Sequence, residues 1–348
     1  MSIERKSGER KSGFYVALVL MSLLIAGGTD LLAQNTASAK AVAAPATGMA
    51  KGVKHLGGTI AAIAVDPKNS SIVYAATFVG LFRSTDGGAN WTPTTLTAGV
   101  NTIAMDPATP STMYAATTGK GVSKSVDGGA TWNDTGLAEG DVKALVVTRT
   151  NPPVVLAGIY DKGLQKSSDG GAKWTAGGIT DKYISVLAAD PSHPSTLYAG
   201  TGVGLMKSTD GGATWAKSDL PANFTRTLAV QPNHPETLYV GVAGGGIFKS
   251  DDGGRTWKAV YGTELNKNVV NDITTTGSAV YAATGAGVLK STDAGTTWTP
   301  MNTGLPALHV RSLGADPANE STLYVGTFGS GVFKTTNGGE KWDPVGSL

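Results

Sequence analysis

Between about residue 53 and the C-terminus, short runs of β-branched, apolar and aromatic residues are separated by clusters of Gly, Pro and Asp. That alternation is the signature of strands joined by tight turns. Val100 to Met105 predicts one strand and Asp106-Pro107 the turn after it. Thr112 to Ala116 predicts a second strand, Gly121 to Ser125 a third, and Trp132 opens a fourth. Tyr114, in the second segment, has counterparts at Tyr198, Tyr239, Tyr281 and Tyr324. The N-terminus follows a different pattern. Arg5, Lys6, Arg10 and Lys11 precede an apolar run from Phe14 to Ala26, and Asp30 lies just beyond it. A basic stretch followed by a short apolar one predicts a secretory signal, or an uncleaved signal anchor, over residues 1–39. Residues 40–52 read as an Ala-rich linker, and residues 53–348 as a single folded domain.

Within that domain one octet recurs. Ser84 to Trp91 (Ser-Thr-Asp-Gly-Gly-Ala-Asn-Trp) returns as Ser125 to Trp132, Ser167 to Trp174, Ser208 to Trp215 and Ser250 to Trp257. It returns again as Ser291 to Trp298, with Ala294 for the first Gly, and as Thr335 to Trp342, with Asn337 for the Asp. Successive tryptophans are 41 to 44 residues apart, and the seven copies hold every Trp of the chain. A period near 42 carrying four strands is one blade of a propeller. The predicted fold is therefore all-β: a seven-bladed β-propeller of four-stranded antiparallel blades. In each octet the carboxylates of Asp86, Asp127, Asp169, Asp210, Asp252 and Asp293 can accept bonds from nearby amides, while Gly-Gly allows positive φ. The rings of Trp91, Trp132, Trp174, Trp215, Trp257, Trp298 and Trp342 are expected to bury between neighbouring blades.

These octets resemble the Asp-box, or BNR, repeat. Such repeats occur in sialidases, sortilin-type receptor ectodomains, xyloglucan-cleaving glycoside hydrolases and the photosystem II assembly factor family. The resemblance implies that the boxes lie on the outer blade edge, away from the binding face, so their Asp and Asn337 are read as structural. It identifies the fold far better than the function. Sialidases hold a substrate carboxylate with three arginines; beyond the signal region this chain has Arg83, Arg149, Arg226, Arg255 and Arg311. Only Arg226 and Arg311 fall where such a group could act, so the triad is not found. The xyloglucan-cleaving enzymes place paired carboxylates between two propellers, and one propeller fits here. The photosystem II assembly family, a single exported ring, implies a docking scaffold.

Composition narrows the chemistry. The chain has no Cys, which removes thiol nucleophiles and Cys-ligated metals. Its four His stand without metal-ligand spacing, and neither a cofactor nor a metal is expected. The net charge is +2 with no basic tract, arguing against nucleic acid. Membrane contact is expected only through the N-terminal segment. Each box is preceded by a cation (Arg83, Lys124, Lys166, Lys207, Lys249, Lys290 and Lys334), expected to be solvated or paired with a carboxylate.

What varies from blade to blade is more informative. Aligning the first strands exposes a position that holds Ala61, Asn101, Lys143, Ser185, Arg226, Asn271 and Arg311, with cations in alternate blades. If those strands run inward from one face, this position rims the channel mouth, with Asp272 just inside. Loops of the same face add Phe78, Lys120, Tyr160, Asp161, Lys162 and Phe328, and the entering loops add Tyr183, Phe224 and His309. Such a mouth could hold a carboxylate, a sugar acid or an acidic peptide. The expected role is a non-catalytic module that docks a protein or acidic peptide. The alternative is a glycan-binding propeller, then a glycoside hydrolase.

Overall fold

The computed structural model describes residues 58–137, 139–262 and 269–346. The predicted signal region, the linker and residues 53–57 lie outside these. Within them every regular element is a strand. In the first blade Gly58–Asp66, Asn69–Thr77, Gly80–Ser84 and Thr92–Pro93 pair antiparallel in chain order. The same order repeats over residues 100–134, 142–176, 184–217, 225–261, 270–300 and 310–345, giving seven blades. The second strand of blade 2 runs from Met113 to Thr117 rather than from Thr112. Thr112 belongs to the preceding turn, its N–H donating to Thr109 O and its carbonyl accepting from Asp106 N.

A blade has two apolar faces and cannot bury either alone. Seven hydrophobic clusters form, each between two adjoining blades, including one between the last blade and the first. Each inner strand packs on the inner strand of the next blade, and Val310–Asp316 packs on Gly58–Asp66 to complete the circle. Close approach here demands small residues. Gly158, Gly200, Gly241 and Gly326 occupy one equivalent position on the second strands, where a Cβ would meet the next blade's inner strand.

The rings that fill these interfaces are chiefly tyrosines. Tyr74, Tyr114, Tyr198, Tyr239, Tyr281 and Tyr324 are fully buried. The tryptophans do pack between blades, but only Trp91 and Trp342 are buried; the other five are half-buried, so the same box position covers the ring fully in some blades and partly in others. The expectation of seven buried Trp rings is corrected accordingly.

The cations before the boxes are also corrected. Lys124, Lys166, Lys207, Lys290 and Lys334 each donate to the carbonyl of the first box Gly in the next blade, at 2.7–3.0 Å. The tyrosine on the adjoining strand donates to the same carbonyl in three of these blades: Tyr114 to Gly170, Tyr281 to Gly338 and Tyr324 to Gly87. In blade 1 Tyr74 makes the same bond to Gly128. Burial pushes the Tyr114, Tyr281 and Tyr324 phenols up to about 12, so they remain donors at neutral pH. Lys249 departs from this and pairs with Asp251 at 2.7 Å.

The box carboxylates act within their own turns. Ser84 Oγ donates to Asp86 Oδ1, which also accepts from Asn90 N, and the other boxes repeat the pattern. Asn337 keeps it through its amide oxygen, accepting from Thr335 Oγ1 and Lys341 N. Hydrogen bonds from Thr131 and Thr297, followed by those from Ser125 and Ser291, hold the Asp127 and Asp293 carboxyls down at about 2. The boxes connect third and fourth strands. They therefore occupy the end opposite the inner-strand starts.

The ring closes without exchange of strands between its ends. Asp343–Val345 pairs with Val332–Thr335, so the fourth strand of blade 7 comes from its own tail. Closure rests on Tyr324 and Lys334 holding Gly87 O, on Ser312 Oγ donating to Ile60 O, and on the pairs Gly58–Gly329 and Thr59–Phe328.

Candidate functional site: the mouth of the central channel

Every inner strand breaks register with its second strand at one equivalent place near its start, and those of blades 1, 5 and 7 break again near their ends. The breaks near the starts lie between Ile60 and Ala62, Val100 and Thr102, Ile184 and Val186, Thr225 and Thr227, Val270 and Asp272, and Val310 and Ser312. In blade 3 the partners step from Val142 to Ala144. The residue passed over is a β-bulge, an extra residue that leaves the ladder and re-aims its side chain. Those residues are Ala61, Asn101, Lys143, Ser185, Arg226, Asn271 and Arg311. All seven line one pocket of about 280 Å³ together with Tyr183, Thr227 and Asp272.

The blades use this position in two ways. Asn101 donates to Val142 O and Asp141 Oδ1 at 2.8 and 3.0 Å, and Asn271 donates to Val310 O at 2.7 Å. Ser185 Oγ donates to Thr225 O. These three tie their blade to the next, so the amide donors of Asn101 and Asn271 are committed to the scaffold. The cations stand in the intervening blades. Lys143 pairs with Asp141 at 2.6 Å, a carboxylate the sequence pattern did not single out.

Arg226 is exposed, and among the described residues it forms no ion pair. The Arg311 guanidinium lies between two aromatic rings, 5.6 Å from the Phe78 centroid and 5.2 Å from that of Phe328. Its Nε is buried without an acceptor. Burial first, and then repulsion by Arg226, lowers the Arg311 pKa, while Asp272 opposes the shift. Arginine on this scale stays charged.

Asp272 is held by three blades. Its Oδ1 accepts from Thr227 Oγ1 and Ile273 N at 3.2 and 2.9 Å, and its Oδ2 from Leu313 N at 2.9 Å. Loss of water pushes the carboxyl up to about 6, against these three donors and the Arg311 charge. A carboxylate already engaged by three donors is poorly placed to act as a nucleophile. Asp161 is paired with Lys182 at 2.8 Å on the outer rim. The two carboxylates are not brought together.

The remaining candidates form the rim. Tyr160 meets Tyr183 edge-on at 6.2 Å, and Tyr183 meets Phe224 at 6.4 Å. His309 meets Phe328 at 6.4 Å. Tyr160, Asp161, Phe224 and His309 lie outside the pocket lining. Asp161 and Phe224 have φ of 64° and 52°, an uncommon state for residues other than Gly and a costly one for an exposed Phe.

No family model matches this chain, and no curated protein does. Solved structures that share the fold include β-propellers of two kinds. One is represented by a GH74 xyloglucanase from Xanthomonas campestris, with a TM-score of 0.72 and 19% identity over 83% of this chain and 53% of that one. A GH74 enzyme from Niastella koreensis gives 0.69 and 23% identity, over 82% of this chain and 53% of that one. The chain thus spans about half the length of these enzymes. The other kind is YCF48 bound to a D1 peptide, with a TM-score of 0.62 and 17% identity over 82% of this chain and 96% of that one. At these identities the likeness is one of fold.

Proposed function

We propose that this chain is an exported, non-catalytic docking module that takes a protein or peptide partner at the channel mouth, an acidic group of the partner entering between Arg226 and Arg311. The observation that carries this is the pair of guanidiniums. Both line one pocket, one lies between two phenyl rings, and neither has a carboxylate partner among the described residues. A buried donor without an acceptor is costly unless something supplies one. The likeness to the peptide-bound YCF48 ring supports a single propeller as a sufficient peptide platform. Export rests on the basic and apolar pattern of residues 1–39.

The test is capture from an extract of the cell envelope, followed by affinity measurement with the captured partner. Arg226→Gln with Arg311→Gln should weaken binding by about 10- to 100-fold, the worth of one or two hydrogen bonds to charged groups. Unchanged affinity would end the mouth reading. A glycan reading draws on one specific observation, the contiguous Tyr160–Tyr183–Phe224 rings. Saturable binding of a purified glycan, lost in Tyr183→Ala and retained in the double Arg variant, would replace the peptide reading.

A further inference from the structure

The apolar side chains that the fold leaves exposed are not spread over its surface. Among the described residues ten large ones are well exposed, and nine of them stand on the mouth end of the ring; Val126, in a box, is the tenth. Phe78, Tyr160 and Val203 lie at the turns between second and third strands, Phe328 at the end of the second strand of blade 7, and Val269 and Leu308 in loops entering the inner strands. They encircle the mouth from blade 3 round to blade 1, and among the described residues blade 2 alone contributes none at this end. A bound peptide would meet one arc of such a circle. A flat, deformable apolar boundary meets all of it, and aromatic residues are favoured at the membrane–water interface.

The second observation is where the chain enters. Gly58 and Thr59 pair with Gly329 and Phe328, so the first described residues lie on this same end. The chain therefore enters the described fold at the mouth end, and the sequence before that point includes the cationic stretch and the apolar run of Phe14 to Ala26. The 18 residues from 40 to 57 can reach at most about 65 Å, their fully extended length. Any surface that holds the apolar run is thereby presented to this end at high effective concentration. Exposed charges also stand on this end, Lys120, Glu139, Lys162 and Arg226 among them, while Lys143 is paired with Asp141 and Lys182 with Asp161.

We propose that the rim of the mouth end lies against a lipid bilayer surface, the one that receives the chain's own N-terminal segment. The proposal rests on the rim residues and the chain entry, and on the N-terminal segment being retained, not on Arg226 or Arg311. If both readings hold, the acidic group entering the mouth is presented from the plane of the membrane.

The absence of native Cys makes a direct test available. Full-length chain retaining residues 1–57 would carry a single fluorophore at Val79→Cys, Val203→Cys or Val126→Cys, and be mixed with phosphatidylcholine vesicles doped with nitroxide lipid. Val79 and Val203 lie in turns of blades 1 and 4, and Val126 lies at the opposite end. Quenching at both rim labels should exceed that at Val126 several-fold, and Leu308→Asp should reduce it without moving the melting temperature. Equal quenching at all three sites, or quenching at only one rim site, would overturn the proposal. So would rim labels that respond only when envelope protein is added. The double Arg variant should leave rim quenching unchanged, so failure of the mouth reading and failure of this one are separable.

Discussion

At the scale of single residues, the mouth shows how one backbone device serves two purposes. The bulge turns the same position out of the ladder in every blade, and side-chain chemistry then decides its use. Asn101, Ser185 and Asn271 reach the next blade's carbonyls, while Lys143, Arg226 and Arg311 keep their charge in the pocket. Asp272 is the acid that lines the pocket with them. Its folded-state pKa, about 6, is raised above the ordinary carboxylate value near 4. Ionisation is therefore disfavoured in the fold: stability falls as pH rises from about 4 to 6 and is level above that. Below about 6 the carboxyl becomes neutral, and the field of Arg226 and Arg311 is no longer offset. Affinity for an acidic peptide should accordingly rise as pH falls from 7 to 5.5, before the peptide's own carboxylates protonate. Titration calorimetry across that range checks this, and Asp272→Asn should flatten the profile.

At the scale of elements, the interfaces between blades carry the stability, and the buried rings set it. Tyr198 is fully buried between blades 4 and 5, whereas Trp215 is half-buried between blades 3 and 4. Removing a fully buried aromatic side chain costs about 3–5 kcal/mol, and a half-buried one should cost about half as much. Tyr198→Ala is thus expected to destabilise the ring more than Trp215→Ala, although Trp is the larger residue. Chemical denaturation of the two variants decides the order. This ranking was hidden in the sequence. Seven tryptophans in register advertise themselves, while Tyr74 and its counterparts sit in ordinary strands, and blade 3 has Leu156 at that place. The cations before the boxes were legible as a series, but not as donors to the next blade, since their acceptors lie about 46 residues away.

At the scale of the whole molecule, one interface differs from the other six. Blades 1 and 7 are joined by no connecting chain, so their contact is a seam. Tyr324→Phe with Lys334→Met removes both side-chain donors to Gly87 O, and Tyr114→Phe with Lys124→Met removes the matching pair at Gly170 O inside the ring. Each pair should lose roughly 2–4 kcal/mol, counting one neutral and one charge-assisted bond. Only the seam pair should open the ring, because chain connectivity holds the internal blades in place. Hydrogen exchange should then accelerate in both terminal blades for the seam variant and remain local for the internal one. Equal, local effects in the two variants would mean that the seam is not a weak point.

The sequence by itself determined the architecture, because a propeller is a local pattern repeated: each blade's four strands and its box are encoded within about 42 residues, and the octet marks the phase. The same phase placed Ala61, Asn101, Lys143, Ser185, Arg226, Asn271 and Arg311 at equivalent positions, and equivalent positions in a ring must surround its axis. What each of those residues does was decided only in three dimensions. The acceptor for Asn271 is in the next blade, the rings beside Arg311 come from blades 1 and 7, and the donors to Asp272 come from three blades. Hydrogen bonds, burial and field strength depend on distance in space, and in this fold the nearest neighbours of a mouth residue are some 40 residues away along the chain or at its opposite end.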